Sequence, residues 1–158
     1  MLSFSEGPPR PLSRPRIVVL VGLPGCGKST WAARYGPAVL SSDAIRGWLS
    51  DDPTNQTIHH RVFATLRYIL RQRLELQRPL TFIDSTNLTR RERRPYIKTA
   101  DLFDCEVEAV FFDVPVEVCL ERNRARSRNV PEHAIYDMAR RLSPPSVEEG
   151  FSRIAVVG

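Results

Sequence analysis

A three-layer α/β fold around a central parallel sheet of four to five strands, closed by a helical lid, is the architecture this 158-residue chain predicts. Short apolar runs alternate with single segments of helical periodicity, the pattern of strands joined by crossover helices and covered on both faces. The first run, residues 17–21, leads straight into Gly22-Leu23-Pro24-Gly25-Cys26-Gly27-Lys28-Ser29, a complete G-x-x-x-x-G-K-[ST] phosphate-binding loop. Polar residues gather just after the later runs, at the edge where open parallel sheets collect their functional groups.

Strand, glycine-rich turn and helix start form the context in which that loop has a mechanism. The glycines let the backbone wrap a polyphosphate and present N–H groups to it. The positive end of the helix expected from Lys28 onward adds to the attraction. Lys28 is placed to reach the β- and γ-phosphates, and Ser29 to give an oxygen to Mg²⁺. Residues 22–30 thus read as the seat of a nucleoside triphosphate.

The remaining elements follow in order. The first helix lacks breakers until Gly36 and Pro37. Residues 38–41 form a second strand and 43–49 a short helix. From 58 to 77, Ile58, Val62, Leu66, Ile69, Leu70 and Leu74 recur at helical spacing. A third strand, 80–83, ends in Asp84-Ser85-Thr86-Asn87. Thr89 caps a helix running to about 103, with Glu92 three residues on to complete a capping box. Residues 107–112 form a fourth strand, and Pro115 opens a helix at a position proline tolerates. A basic segment, 122–129, precedes a helix opened by Pro131, and 154–157 is a terminal strand.

By length the chain is one domain, 16–158, able to bury about two-thirds of its unfolded surface. Residues 1–15, rich in Pro, Ser and Gly and without a hydrophobic stretch, are expected to be a flexible arm rather than a secretory signal. No apolar run approaches the ~20 residues needed to cross a bilayer, so a soluble protein without a membrane partner is expected. Cys26, Cys105 and Cys119 are odd in number and lack metal-site spacing, which points to a reducing compartment, the cytoplasm, and to no disulfide-linked partner. A homo-oligomer is compatible with the composition. The net charge of +5 points to an anionic partner. Lys28 and Lys98 are the only lysines, however, and an arginine-heavy chain can also reflect base composition.

The position of particular charges says more. Asp43 and Arg46 stand three apart at a helix start, on one face. A carboxylate there can accept the proton of a hydroxyl attacking a γ-phosphate, and the arginine can hold an anionic group of the same acceptor. An Asp opening a helix can equally be its cap, and the Arg a solvated one. Asp84 is the Walker-B-like candidate for Mg²⁺, and Asn87 beside it a supporting group on the substrate side; both residue types also make turns. Arg122 and Arg126, four apart, share a face if helical and can form a lid over a triphosphate, or a basic surface. Two further basic groups, Arg90, Arg91, Arg93, Arg94 and Lys98 in one helix and His59, His60, Arg61, Arg67, Arg71 and Arg73 in another, can each track a phosphate backbone, but read first as ordinary exposed faces. His133 belongs to no zinc pattern, and no D-x-D-x-T/V phosphatase signature is present.

Together these residues resemble the 5′-hydroxyl polynucleotide kinases, P-loop enzymes that include the kinase portion of the phage RNA-repair enzyme and the kinase module of bacterial RNA end-healing enzymes. The likeness runs from about residue 17 to 157. It rests on Gly22 to Trp31, Ser42-Asp43-x-x-Arg46-Gly47, Ser50-Asp51-Asp52, Asp84-x-Thr86-Asn87-Leu88, Phe112-Asp113-Val114-Pro115 and Glu121-Arg122-Asn123-x-x-Arg126. The loop alone fits many families, whereas Ser-Asp-x-x-Arg with Arg-Asn-x-x-Arg at this separation is far more selective. The resemblance implies an ATP- and Mg²⁺-dependent kinase acting on 5′-hydroxyl ends of RNA or DNA. It implies Lys28 and Ser29 on phosphates and metal, Asp43 as general base, Arg46 on the phosphate 3′ of the terminal nucleoside, and Arg122 with Arg126 on the ATP phosphates. The bacterial enzymes carry phosphatase and ligase modules after the kinase, so this chain is expected to be free-standing or an excised module. A small-molecule P-loop kinase is the main alternative, and a nucleotide-gated regulatory module a weaker one.

Overall fold

The computed structural model describes residues 14–127 and 129–158. The arm expected at 1–15 lies outside the described residues except for Arg14 and Pro15. The Pro15 carbonyl accepts the Glu106 N–H at 3.1 Å, so backbone pairing begins immediately before the first strand.

Five parallel strands make one sheet in the order β2-β3-β1-β4-β5. They are β1 (Arg16–Val21), β2 (Val39–Ser41), β3 (Leu80–Asp84), β4 (Glu106–Phe112) and β5 (Arg153–Val157). The helices are α1 (Lys28–Ala32), α2 (Ser42–Ser50), α3 (His59–Glu75), α4 (Arg90–Phe103), α5 (Val116–Arg124) and α6 (Glu132–Arg141). The central β1 pairs with β3 from Arg16↔Leu80 to Val19↔Ile83 and with β4 from Arg16↔Glu106 to Val21↔Phe111. Burial on both faces explains its unbroken apolar run: Val19 and Val21 pack with α2, α3 and α4, and Val18 and Leu20 with α1 and α5. α3 contributes Val62, Leu66, Leu70 and Leu74, the stripe that the four-residue spacing predicts.

The first helix is shorter than its sequence suggests. It stops at Ala32 and tightens into a 3₁₀ turn over Ala33–Ala38, within which Gly36 leaves helical space (φ 56°, ψ −129°) and Pro37 has no N–H to extend the ladder. The other elements depart from expectation by a residue or two at their ends. The capping box at Thr89 is present in full: its hydroxyl accepts the Glu92 N–H at 3.2 Å, and its own N–H donates to Glu92 Oε2 at 3.1 Å.

One residue of the basic α4 group is not an exposed cation. Arg93 is wholly buried and forms a two-pronged ion pair with Glu149, Nε to Oε1 at 2.8 Å and Nη2 to Oε2 at 2.9 Å. Its Nη1 donates to the carbonyls of Asn87, Leu88 and Ser143 at 2.9–3.1 Å. Burial pushes the Glu149 carboxyl up, but the hydrogen bonds from Arg93 and the Ser146 N–H more than offset it and hold the group below the usual carboxylate range. Removing one partner strands the other charge in the interior, which costs about 3–5 kcal/mol. Glu149→Ala is expected to lose about that much in a denaturant melt at pH 7. Since the folded carboxyl titrates below its unfolded counterpart, this contribution is present above the ordinary carboxylate range and fades as pH falls through the folded value. The wild-type and variant melts should therefore converge in acid.

Candidate active site

The cleft lies beyond the carboxyl ends of β1, β2 and β3, where a parallel sheet offers a crevice. It encloses about 1660 Å³ and is lined by the phosphate loop, the start of α2, the β3 end and the region of Arg122 and Arg126.

On its floor the loop wraps around its own lysine. Lys28 Nζ donates to the carbonyls of Gly22 and Leu23, each at 2.9 Å, and lies 3.5 Å from Cys26 Sγ. The ammonium is buried and thus fixes a positive charge at the loop's centre. Gly25 (φ 81°) presses so closely on α5 that a Cβ would come within 2.6 Å of the Cys119 carbonyl oxygen. With α1 only five residues long, the loop's own amides, rather than a long helix dipole, supply most of its attraction for phosphate.

Ser29 Oγ donates to Asp84 Oδ2 at 2.9 Å, bringing the two expected metal ligands together across the sheet. A hydroxyl and a carboxylate beside a phosphate seat are oxygen donors suited to Mg²⁺, which takes few protein ligands and completes its shell with phosphate oxygens and water. Asp84 is buried, and burial raises its pKa; the Ser29 hydrogen bond and Lys28 oppose this, Asp43 adds to it and Arg126 counters again. Asp43, Lys28 and Arg126 all lie close enough to act on the Asp84 carboxyl.

The two readings of Asp43 are separated by its neighbour. Ser41 is the N-cap of α2, its Oγ accepting the Ala44 N–H at 3.2 Å. The exposed Asp43 carboxylate is left without a hydrogen bond to any described residue and lines the cleft. Arg46, one turn on, is 4% exposed. Its Nη1 donates to the Asn55 carbonyl at 2.9 Å, while Nε is buried with no partner among the described residues. A buried guanidinium N–H without a partner, on a residue that lines the cleft, calls for an acceptor.

Arg122 donates to the Cys26 carbonyl at 3.3 Å and lies over the loop. α5 ends at Arg124, so Arg126 sits past the helix, and the pair reaches the cleft from a helix and a turn rather than from one helical face. Asn123 clamps that turn, its amide donating to the Val130 carbonyl at 2.7 Å and accepting the Val130 N–H at 3.0 Å.

Asn87 is buried, and its amide nitrogen donates to the Leu20 carbonyl at 2.7 Å and to Ser85 at 3.2 Å. This nitrogen supports the loop's base, while the residue also lines the cleft. Sequence patterning does not single out His59 either. It lines the cleft on α3, and its pKa is lowered by burial and then by the Arg46 cation, partly offset by Glu92. Position at the helix start is the only hint of it that the sequence holds.

Sheet order, loop and cleft define a P-loop kinase fold. The chain belongs to the AAA domain family, which matches residues 17–145. Among curated proteins it is 23% identical over 141 residues to the L-seryl-tRNA(Sec) kinase of Methanococcus maripaludis, covering 84% of this chain and 54% of that one. It is 26% identical over 148 residues to the bifunctional polynucleotide phosphatase/kinase of Schizosaccharomyces pombe, covering 89% and 33%. The chain thus spans about half the length of one and a third of the other. Among solved structures, a chain of the Pnkp1/Rnl/Hen1 RNA repair complex superposes with a TM-score of 0.71 at 23% identity, covering 82% of this chain and 44% of that chain. A gluconokinase from Sinorhizobium meliloti 1021 gives 0.59 at 20%, covering 91% and 82%. At such identities the structures share a fold. No helix among the described residues is long and apolar enough to cross a membrane.

The raised pKa of Asp84 has a testable sign. Its ionised form is disfavoured by the fold, so stability is lost as pH rises through the folded value. Without nucleotide at pH 7, Asp84→Asn is expected to melt about 2–4 °C higher, the shift that about 1 kcal/mol gives in a domain of this size. The gain should vanish toward pH 4, and the added stabilisation by Mg²⁺ with ATP should fall sharply, all readable by scanning fluorimetry.

Proposed function

We propose that this protein transfers the γ-phosphate of ATP to the 5′-hydroxyl end of RNA or DNA, with Asp43 as general base. The observation that carries the reading is the Asp43 carboxylate, which does not cap its helix, beside a buried Arg46 whose Nε has no partner among the described residues, in the cleft that also holds the phosphate loop. Lys28 and residues 22–30 seat the donor's phosphates, and Mg²⁺ held by Ser29 and Asp84 supplies charge neutralisation on their oxygens when bound. Asp43 takes the proton of the 5′-hydroxyl as its oxygen bonds to the γ-phosphorus and the bond to the ADP oxygen breaks. Arg46 holds the phosphate 3′ of the terminal nucleoside, and Arg122 and Arg126 balance charge on the transferring group. The repair-complex neighbour and the polynucleotide phosphatase/kinase relative support a nucleic acid acceptor. A reducing, cytoplasmic setting fits this reading.

The gluconokinase likeness, which covers most of both chains, supports a second reading in which Asp43 and Arg46 grip a small hydroxyl compound. Labelled ATP offered with a 5′-hydroxyl oligonucleotide or with a panel of sugars and nucleosides separates the two. Transfer to the panel alone would end the polynucleotide reading.

Asp43→Ala is expected to cut turnover by about 10²- to 10⁴-fold while nucleotide affinity stays within twofold. Arg46→Ala should raise KM for an acceptor bearing a 3′-phosphate far more than for one lacking it. Equal effects on both would remove the assigned role of Arg46.

A further inference from the structure

α3 and α4 face each other across a second, smaller hollow of about 290 Å³. Its cationic lining is Arg67 and Arg71 from α3 and Arg91, Arg94 and Lys98 from α4, and no carboxylate lines it. Five members of the two basic groups thus form walls of one hollow. None of the five cations forms a hydrogen bond or ion pair with a described residue, in contrast to the neighbouring Arg93. Concentrating unpaired positive charge in a concavity is costly unless an anion shares it, and concave walls focus the field outward.

The hollow adjoins the active-site cleft, since Arg67 and Pro95 border both. Along α3 a single stripe at four-residue intervals connects them: His59, Phe63, Arg67, Arg71. Its first member lies in the field of Arg46, and its second stacks near the first, with ring centroids 4.6 Å apart. Successive members rise about 6 Å along the helix, close to the interval between neighbouring phosphates of an extended strand. Aromatic rings followed by a ladder of cations is the pairing that holds a single strand without reading its sequence.

We infer that this hollow is a track for the phosphodiester backbone of a single-stranded polynucleotide, leading the 3′ portion of the acceptor away from Asp43 past His59 and Phe63 into the α3–α4 cleft. The inference rests on the polynucleotide reading above and extends it: affinity should grow with acceptor length, through residues remote from the chemistry.

The test combines binding with turnover, using the whole chain. Arg71→Ala, Arg94→Ala and Lys98→Ala are combined in one variant, leaving Arg67, which borders the active site. Affinity for a 3′-labelled 5′-hydroxyl oligothymidylate dodecamer is measured by anisotropy over a range of salt, and for the dinucleotide by competition. The dodecamer should bind at least about tenfold more weakly, and its salt slope should fall by about 2, at ~0.7 for each phosphate no longer neutralised. Dinucleotide affinity should stay within twofold. A second variant lacking Arg78, Arg140 and Arg153, which lie outside both hollows, should keep most of its dodecamer affinity. Unchanged dodecamer binding in the first variant, or an equal loss in the second, overturns the track. Phosphorylation of both oligonucleotides keeps the two claims apart. Wild-type protein that binds the dodecamer through the cleft yet phosphorylates neither overturns the catalytic reading and leaves the track. Normal transfer with no length dependence overturns the track and leaves the catalysis.

Discussion

The guanidinium of Arg93 sits where several otherwise separate segments meet, and the geometry of the cleft passes through it. Glu149, on the turn before β5, anchors one side of it. The carbonyls of Asn87 and Leu88, on the loop leaving β3, take hydrogen bonds from the other. Asn87 in turn donates to Leu20 in β1, and the Gly22 N–H donates to the Thr86 carbonyl at 3.0 Å. A chain of polar contacts thus runs from the last strand to the first residue of the phosphate loop. It fixes the distance between that loop and the β3 end, and hence the approach of Ser29 to Asp84. A buried ion pair contributes little net energy compared with apolar packing of the same volume. Here its directional contacts set one registry between loop and strand that apolar packing alone would not single out.

Above that frame, the cleft concentrates charges that the fold itself does not neutralise. Asp84 is held by burial in an unfavourable state, with cations from the loop and from the turn after α5 acting on it. Arg46 keeps a buried N–H unanswered, and Asp43 keeps a carboxylate that its helix does not use. Each of these is a local departure from good folding practice, and they cluster in one crevice. Such clustering fits groups kept for a ligand, although Glu108 Oε2 on β4, outside the cleft, is also buried without a partner among the described residues.

Most of the architecture is legible in the sequence because strand periodicity and turn chemistry agree. The apolar run of β1, the four-residue stripe of α3 and the Thr89–Glu92 box each predict a local structure that tertiary packing then reinforces. The length of α1 is not legible, because the visible breakers begin only at Gly36, whereas the chain tightens before it reaches them. Arg93 is hidden because its partner lies fifty-six positions later, a pairing that local spacing cannot reveal. For the same reason the bond from the Asn87 amide nitrogen to β1 is not legible in the sequence, where a turn-forming type next to the site shows only its local role. The ambiguity over Asp43 needs coordinates, since only they show that Ser41 already caps the helix.

The seating of Gly25 against the Cys119 carbonyl has a mechanical consequence for the two arginines of the α5 region. A helix with its backbone in van der Waals contact with the loop cannot swing outward without unseating that loop, so Arg122 is a fixed post. Arg126 lies past the helix end, its backbone N–H still donating to the Asn123 carbonyl at 3.2 Å, next to the Asn123 clamp on Val130. The two cations therefore reach the cleft from different footings, one from a helix seated against the loop and the other from the turn that follows it.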